Sequence, residues 1–387
     1  MSRASCLRCF VLCSCEVLFL AGCGANLGAS PASTGGASAG TTTTPPSTVP
    51  PANLPPATQK NLYVVQAGRN PISTLVFPLT AQGSATPTLE IPGSQVALDG
   101  AGNIYVLDQK NGPSLVVTSI NVYSANAPTG KPVRSLPVGP GTKISTVVAM
   151  AVSQAGEIFV NDRQGIAVFG ATATGDADPV RYIQQPASEG SSIARAIWAR
   201  FMAVDSAGNL YVGQNSEDQT IVVFGPKDTG IVAPSRAIAG PLTHMGRAAC
   251  NYGYAIFGMA VDDSGNIYAL YRCSVERNAP ALPLTVYEFS STANGNVAPI
   301  RSFTLSPEVE LYYAGSGLAV DSAGTLYASG SYQVGPFDFL PAVFEFPATA
   351  SGTVTPSNIL TSSAWSLYPP PPGEDDWFDP SGSIAVH

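Results

Sequence analysis

Side chains able to do chemistry are few in this chain and far apart. The only imidazoles are His244 and His387, whereas a hydrolytic zinc centre generally takes three protein ligands, often His. Oxygen ligands are better supplied. Glu374, Asp375 and Asp376 with Asp379 are hard donors of the kind calcium takes, and Asp338 is a further carboxylate of that type; a solvated acidic loop is the competing reading. Asp99, Asp205, Asp262 and Asp321 recur at one slot. A ring of carboxylates invites a metal, but Asp also bonds its own backbone two residues on, and the turn role is the one adopted. His387 aligns with the same slot as a chain-end turn residue. Cys250 and Cys273 would close a 24-residue loop, a disulfide contributing roughly 3 kcal/mol in an oxidising compartment, with two buried thiols as the alternative. No residue is assigned a catalytic role, and no cofactor is expected apart from the Ca2+ that the acidic run would suit.

Binding chemistry is richer. Trp198, Trp365 and Trp377, with Arg247, Tyr252, Tyr271, Tyr312 and Tyr332, fall in long irregular segments. Aromatic and Arg side chains on loops held by a rigid scaffold mark a recognition surface. The alternative is that these rings plug a channel and cover the ends of the strands.

What must position these loops is a repeat. VALDGAGNIYVLD, MAVSQAGEIFVND, MAVDSAGNLYVGQ, MAVDDSGNIYALY and LAVDSAGTLYASG place Gly at 102, 156, 208, 265 and 324, spaced by 54, 52, 57 and 59 residues. An apolar segment then ends in an aromatic at Phe77, Tyr123, Phe169, Phe224, Phe289 and Phe346. A third opens at Pro87, Pro132, Pro179, Pro234, Pro299 and Pro356, after gaps of 10, 9, 10, 10, 10 and 10 residues. Such a register is one structural unit repeated. Each unit reads as two short strands about a Gly turn, then two more, which is a propeller blade. Ala97, Ala151, Ala203, Ala260 and Ala319 give the innermost strand a small residue where blades converge. The first unit, from Asn61, lacks that strand, and the chain ends in Gly-Ser-Ile-Ala-Val-His. The expected fold is therefore all-β: a six-bladed β-propeller over 60–387, closed by the C-terminal strand (1+3) in the first blade.

Composition agrees. Of 387 residues 11% are charged, with 38 Gly and 34 Pro, against roughly 25% charged in an average domain; strands covered on both faces need little charge. A net charge of -8 excludes the basic face that nucleic acid requires and the polybasic patch of lipid binding.

The amino terminus carries an address. Arg3 and Arg8 precede an apolar run from Cys9 to Leu20, too short for a spanning helix and right for a secretory signal over 1–22. Leu20-Ala21-Gly22-Cys23 resembles the lipobox of bacterial lipoproteins, which implies lipidation of Cys23 and tethering to an envelope membrane, although Glu16 inside the run departs from the pattern. Gly24, in place of a retention Asp, points to the outer membrane. Residues 24–59 hold no charge and almost nothing large and apolar, so with Cys23 they form a disordered linker, extended in its Pro-rich half.

The AVDSAGNLYV copies resemble NHL-repeat propellers and, more distantly, gluconolactonase-like propellers. The resemblance implies the architecture and leaves activity open. Gluconolactonase-like enzymes bind a divalent cation through channel-lining carboxylates and amides, and no such set matches here residue by residue. The expected function is an envelope lipoprotein, monomeric, whose propeller binds a protein, peptide or glycan; the alternative is a metal-dependent lactonase-like hydrolase or lyase.

Overall fold

The structure, a computed structural model, describes residues 60–66, 72–110, 116–126, 128, 131–162, 164–186, 199–214, 220–246, 252–274, 283–306, 309–310, 317–333, 339–365 and 383–387. All belong to one unit within Ala52–His387. No helix among them is long and apolar enough to cross a membrane.

The described strands form six antiparallel sheets of four principal strands, each ordered from the inside outward. Blade 1 runs Ile384–Val386, Asn61–Gln66, Ser73–Pro78, Leu89–Pro92. Blade 2 runs Ser94–Leu98, Ile104–Lys110, Val116–Tyr123, Arg134–Pro137. Ala149–Val152, Ile158–Asn161, Ile166–Phe169 and Arg181–Gln184 make blade 3. Ala199–Val204, Leu210–Gln214, Ile221–Phe224 and Arg236–Ile238 make blade 4. Blade 5 is Tyr252–Val261, Ile267–Ser274, Thr285–Phe289 and Arg301–Leu305. Blade 6 is Leu318–Val320, Leu326–Gln333, Phe339–Phe346 and Asn358–Thr361.

The six inner strands touch one another in a closed ring, and the ring closes as the sequence predicts. Ile384, Ala385 and Val386 pair with Val64, Tyr63 and Leu62, while Asn61 and His387 exchange backbone hydrogen bonds of 3.2 and 3.1 Å. Side chains stitch neighbouring inner strands: Val96 N–H donates to Ser383 Oγ at 3.0 Å, and Gln95 bridges Val148 O and Met150 N–H across the next junction.

Each inner hairpin turns at a Gly with φ between +77° and +86° (Gly102, Gly156, Gly208, Gly265, Gly324), a region that costs other residues strain. Space is tight as well at position 156, where a Cβ would sit 3.1 Å from Tyr105 Oη of the preceding blade and push it by a few tenths of an ångström. Of the aromatics that set the register, all but Tyr123 are completely buried, and it nearly so; they pack between blades with the branched residues of the middle strands.

The outer edges carry an addition that the repeat alone does not announce. Short parallel strands cross from the next blade: Gly230–Ile231 onto blade 3, Gly352–Val354 onto blade 5 and Gly83–Ser84 onto blade 6. A single bridge, Gly295 to Ile238, does the same on blade 4. Covering an edge in this way removes a template for aggregation.

Candidate functional site

Strand polarity puts the inner hairpin turns, and the turns between third and outer strands, at one rim. Connections from second to third strand, and from blade to blade, share the other.

At the short-turn rim the Asp slot organises a repeated network. Asp99 Oδ1 accepts from the backbone N–H of Ala101 and Asn103, both at 2.9 Å, and Oδ2 accepts from Asn103 Nδ2 at 2.8 Å and Tyr105 Oη at 3.0 Å. Asp205 repeats all four bonds, and so does Asp262. Both carboxylate oxygens are thus spent on the turn, which is turn chemistry and not a metal ring. The side chain of His387 takes up the same place in blade 1: a Cβ on Gly102 of the next blade would lie 3.3 Å from its ring.

An arginine extends the network to the following blade. Arg134 donates to Tyr105 Oη at 3.0 Å and to Ala173 O at 3.3 Å; Arg236 donates to Tyr211 Oη at 3.1 Å and to Ala293 O at 3.0 Å. Their guanidinium carbons lie 5.7 and 5.6 Å from the tyrosine ring centroids, within cation–π range. Arg181 links Glu157 to Asp228 O, both at 3.3 Å, and Arg301 links Glu288 to Ala350 O at 3.3 Å. Burial and the Asp99 carboxylate push the Tyr105 hydroxyl up to about 12, against the lowering pull of Arg134. At the axial mouth of this rim the turns lock together. Gly100 N–H donates to Gln154 O at 2.9 Å, Gln154 Nε2 to Asp263 Oδ1 at 3.3 Å and Ser206 Oγ to Asp263 O at 3.2 Å.

The long-loop rim is where the predicted site residues belong. Trp198, Arg247, Tyr312 and Trp377 lie outside the described residues, as do Cys250, Cys23, Asp338, Glu374, Asp375, Asp376 and Asp379. Tyr252, Cys273 and Tyr332 lie in strands of blades 5 and 6, where their backbones alone are described. Two predicted rim aromatics are described in full, and both are packed inward. Trp365 is 7% exposed and tilts against Phe77 at 5.3 Å, sealing blade 6 against blade 1. Tyr271 is 2% exposed, and its Oη accepts from Gly246 N–H at 2.9 Å.

What the described part of this rim does offer is polar side chains, a carboxylate and several amides. In the tight hairpin of blade 3, Asp162 Oδ1 accepts from the backbone N–H of Gln164 and Gly165, both at 3.0 Å, and from Tyr182 Oη at 2.8 Å. Around it Gln184 Nε2 reaches Gln164 O at 3.2 Å, and Gln214 Nε2 of blade 4 reaches Gln185 Oε1 at 2.9 Å. Three buried oxygens without a hydrogen-bond partner among the described residues, those of Ser94, Gln109 and Ser306, all sit at strand ends on this rim. Buried polar atoms are satisfied as a rule, so these three are exceptions among the described residues. The described residues contain no group of three or more His, Cys, Asp or Glu placed to hold a metal.

With closure, blade order and rims in place, the class of protein is defined: a six-bladed β-propeller. No family model and no curated protein matches the chain. Among solved structures it is similar to a protein of unknown function from Bacteroides caccae, at 12% identity and TM-score 0.50 over 85% of this chain and 98% of that one. It also aligns with the extracellular domain of a putative hybrid two-component system from B. thetaiotaomicron, at 12% identity, TM-score 0.39, over 71% of this chain and 31% of that one. A third match is a bacterial surface component of the type-IX secretion system of Porphyromonas gingivalis, at 12% identity, TM-score 0.38, over 72% and 36%. The first of these is a likeness of fold alone.

Proposed function

We propose that the chain is a bacterial envelope lipoprotein, tethered through Cys23 and the linker 24–59 to the outer membrane, whose NHL-like propeller binds a protein, peptide or glycan at its long-loop rim. The observation that carries this reading is the asymmetry of the two rims. One closes its turns with carboxylate and arginine hydrogen bonds repeated from blade to blade, whereas the other holds the long connections and, among the described residues, amide side chains at its surface and three buried oxygens with no hydrogen-bond partner. Amides and hydroxyls hold their donors and acceptors at every physiological pH, which suits neutral polar ligands such as sugar hydroxyls or a peptide backbone.

Two measurements test it. Cys23→Ala should abolish palmitate incorporation and move the protein from the membrane to the soluble fraction. On glycan and peptide arrays the parent should bind a defined class, and Trp198→Ala with Trp377→Ala should lose that binding at unchanged melting temperature. A stoichiometric divalent ion removed by chelator, together with lactone turnover, would overturn the reading in favour of the metal-dependent hydrolase.

A further inference from the structure

Two Asn-Gly pairs occur in the chain, Asn111-Gly112 and Asn294-Gly295, and only the second lies among the described residues. It sits in the turn from which blade 5 reaches across to the outer edge of blade 4. At the other four crossings the residue before the glycine is Gln82, Thr174, Thr229 or Ser351. Here it is Asn294, and its side chain takes part in the crossing. Ala237 N–H donates to Asn294 Oδ1 at 3.1 Å; Gly295 N–H donates to Ala237 O at 2.7 Å, and Ala239 N–H donates to Gly295 O at 3.2 Å. An Asn-Gly pair closes into a succinimide through two groups, the side-chain carbonyl and the following backbone nitrogen. Ala237, on the neighbouring blade, clasps both.

The edge fastened in this way is thinly covered. Arg236–Ile238 is the shortest of the six outer strands, and its cover is a single bridge from Ile238 to Gly295, where blades 3, 5 and 6 have ladders of two or three residues. Asn294, Gly295 and Asn296 are exposed, and nothing crowds Gly295 where a Cβ would stand. A segment with few buried contacts and exposed backbone bonds opens locally at small cost.

While the clasp is closed, the Gly295 proton is held by Ala237 O and the Asn294 amide is pinned by Ala237 N–H, so ring closure is blocked. Once the turn lifts away, solvent hydroxide takes the Gly295 amide proton and the nitrogen, unhindered for want of a neighbouring Cβ, attacks Asn294 Cγ. The N–Cγ bond forms, the Cγ–Nδ2 bond breaks, and ammonia leaves with a proton returned by water. A second water opens the succinimide at either carbonyl, giving aspartate or isoaspartate. Isoaspartate carries an additional methylene in the main chain, so Gly295 no longer meets Ala237 O and Ala239 N–H together.

We propose that Asn294-Gly295 is a site of spontaneous isoaspartate formation, gated by its clasp on Ala237, and that the reaction uncovers the outer edge of blade 4.

The full chain is held folded at mildly alkaline pH beside a sample unfolded in urea, and isoaspartate at residue 294 is followed in both by peptide mapping. The expected result is accumulation in the folded protein at a rate at least about tenfold below that in urea, the closed clasp accounting for the difference. Ala237→Pro removes the N–H that pins the side chain and should raise the folded rate several-fold. In the isoaspartyl form, separated from the parent by its added charge, the Ala239 amide should exchange its hydrogen at least about tenfold faster than in the parent. If Ala237→Pro does not fold, the comparison with urea decides the gate. An Asn294 amide that survives for as long as the protein stays folded overturns the site. Equal rates folded and unfolded, or a folded Ala237→Pro that reacts no faster than the parent, overturn the gate, and unchanged Ala239 exchange in the isoaspartyl form overturns the uncovering of the edge.

Discussion

At the scale of single residues, the turn carboxylates carry more weight than the surface charges. Asp205 is 8% exposed and accepts four hydrogen bonds, so Asp205→Ala leaves two backbone N–H groups, an amide and a phenol to find other partners. Bonds to a charged acceptor contribute about 1.5 to 3 kcal/mol each and are not additive, so the loss in urea unfolding should be about 3 kcal/mol. Asp178, in an exposed pair with Lys143, is the control; Asp178→Ala should fall within about 0.5 kcal/mol of the parent. The turn role of the Asp slot was legible because its partners lie two to six residues away in the sequence. The four arginines were not, although each stands two residues after the Pro that opens its strand. Their partners are in another blade, and an isolated Arg in a polar context reads as surface. Trp365 and Tyr271 show the same limit: a large ring in a loop segment looks the same in sequence whether it faces solvent or, as here, closes a core.

Among elements, the principal strands followed from the Gly turn and the aromatic-to-Pro gap, since each is a local device with a fixed period. The short parallel strands escaped, yet their signal is present: Gly83, Gly175, Gly230, Gly295 and Gly352, each four residues before a register Pro, all have positive φ. Gly175 donates its N–H to Ser135 O at 2.8 Å, so even where no strand forms the segment leans on its neighbour. The last strand is the element with the greatest effect per residue. Removing 383–387 deletes the pairing with Leu62, Tyr63 and Val64, buried Ile384 and the Ser383 link to Val96, and opens a sheet edge. The truncated chain should lose at least about 3 kcal/mol in denaturant unfolding; melting like the parent would mean that closure does not depend on this strand.

For the molecule as a whole, tyrosines in all six blades have hydroxyls raised above 10.0: Tyr63, Tyr105, Tyr123, Tyr182, Tyr211, Tyr268, Tyr287 and Tyr327, burial being the largest cause in each. The folded state therefore keeps phenolic protons that the unfolded chain releases. Stability from this source is complete below pH 10 and is lost as pH rises from there through the folded values, near 12 for Tyr105, because the unfolded state then binds fewer protons. Melting temperature should hold level to about pH 9 and fall steeply above it, in one transition. The ring and its two rims were readable from sequence because every blade states the same rule. The proposed recognition surface was not, because its residues lie where the repeat is interrupted and no rule is restated.

The meeting of the first and last described strands in one sheet also has a mechanical corollary. Asn61–Gln66 is flanked by Ile384–Val386 on one side and Ser73–Pro78 on the other. A pull from the amino-terminal side runs along that strand, so load must shear two ladders at once instead of peeling one open. Anchored through its amino terminus as proposed, the protein would be gripped hardest where the strain arrives.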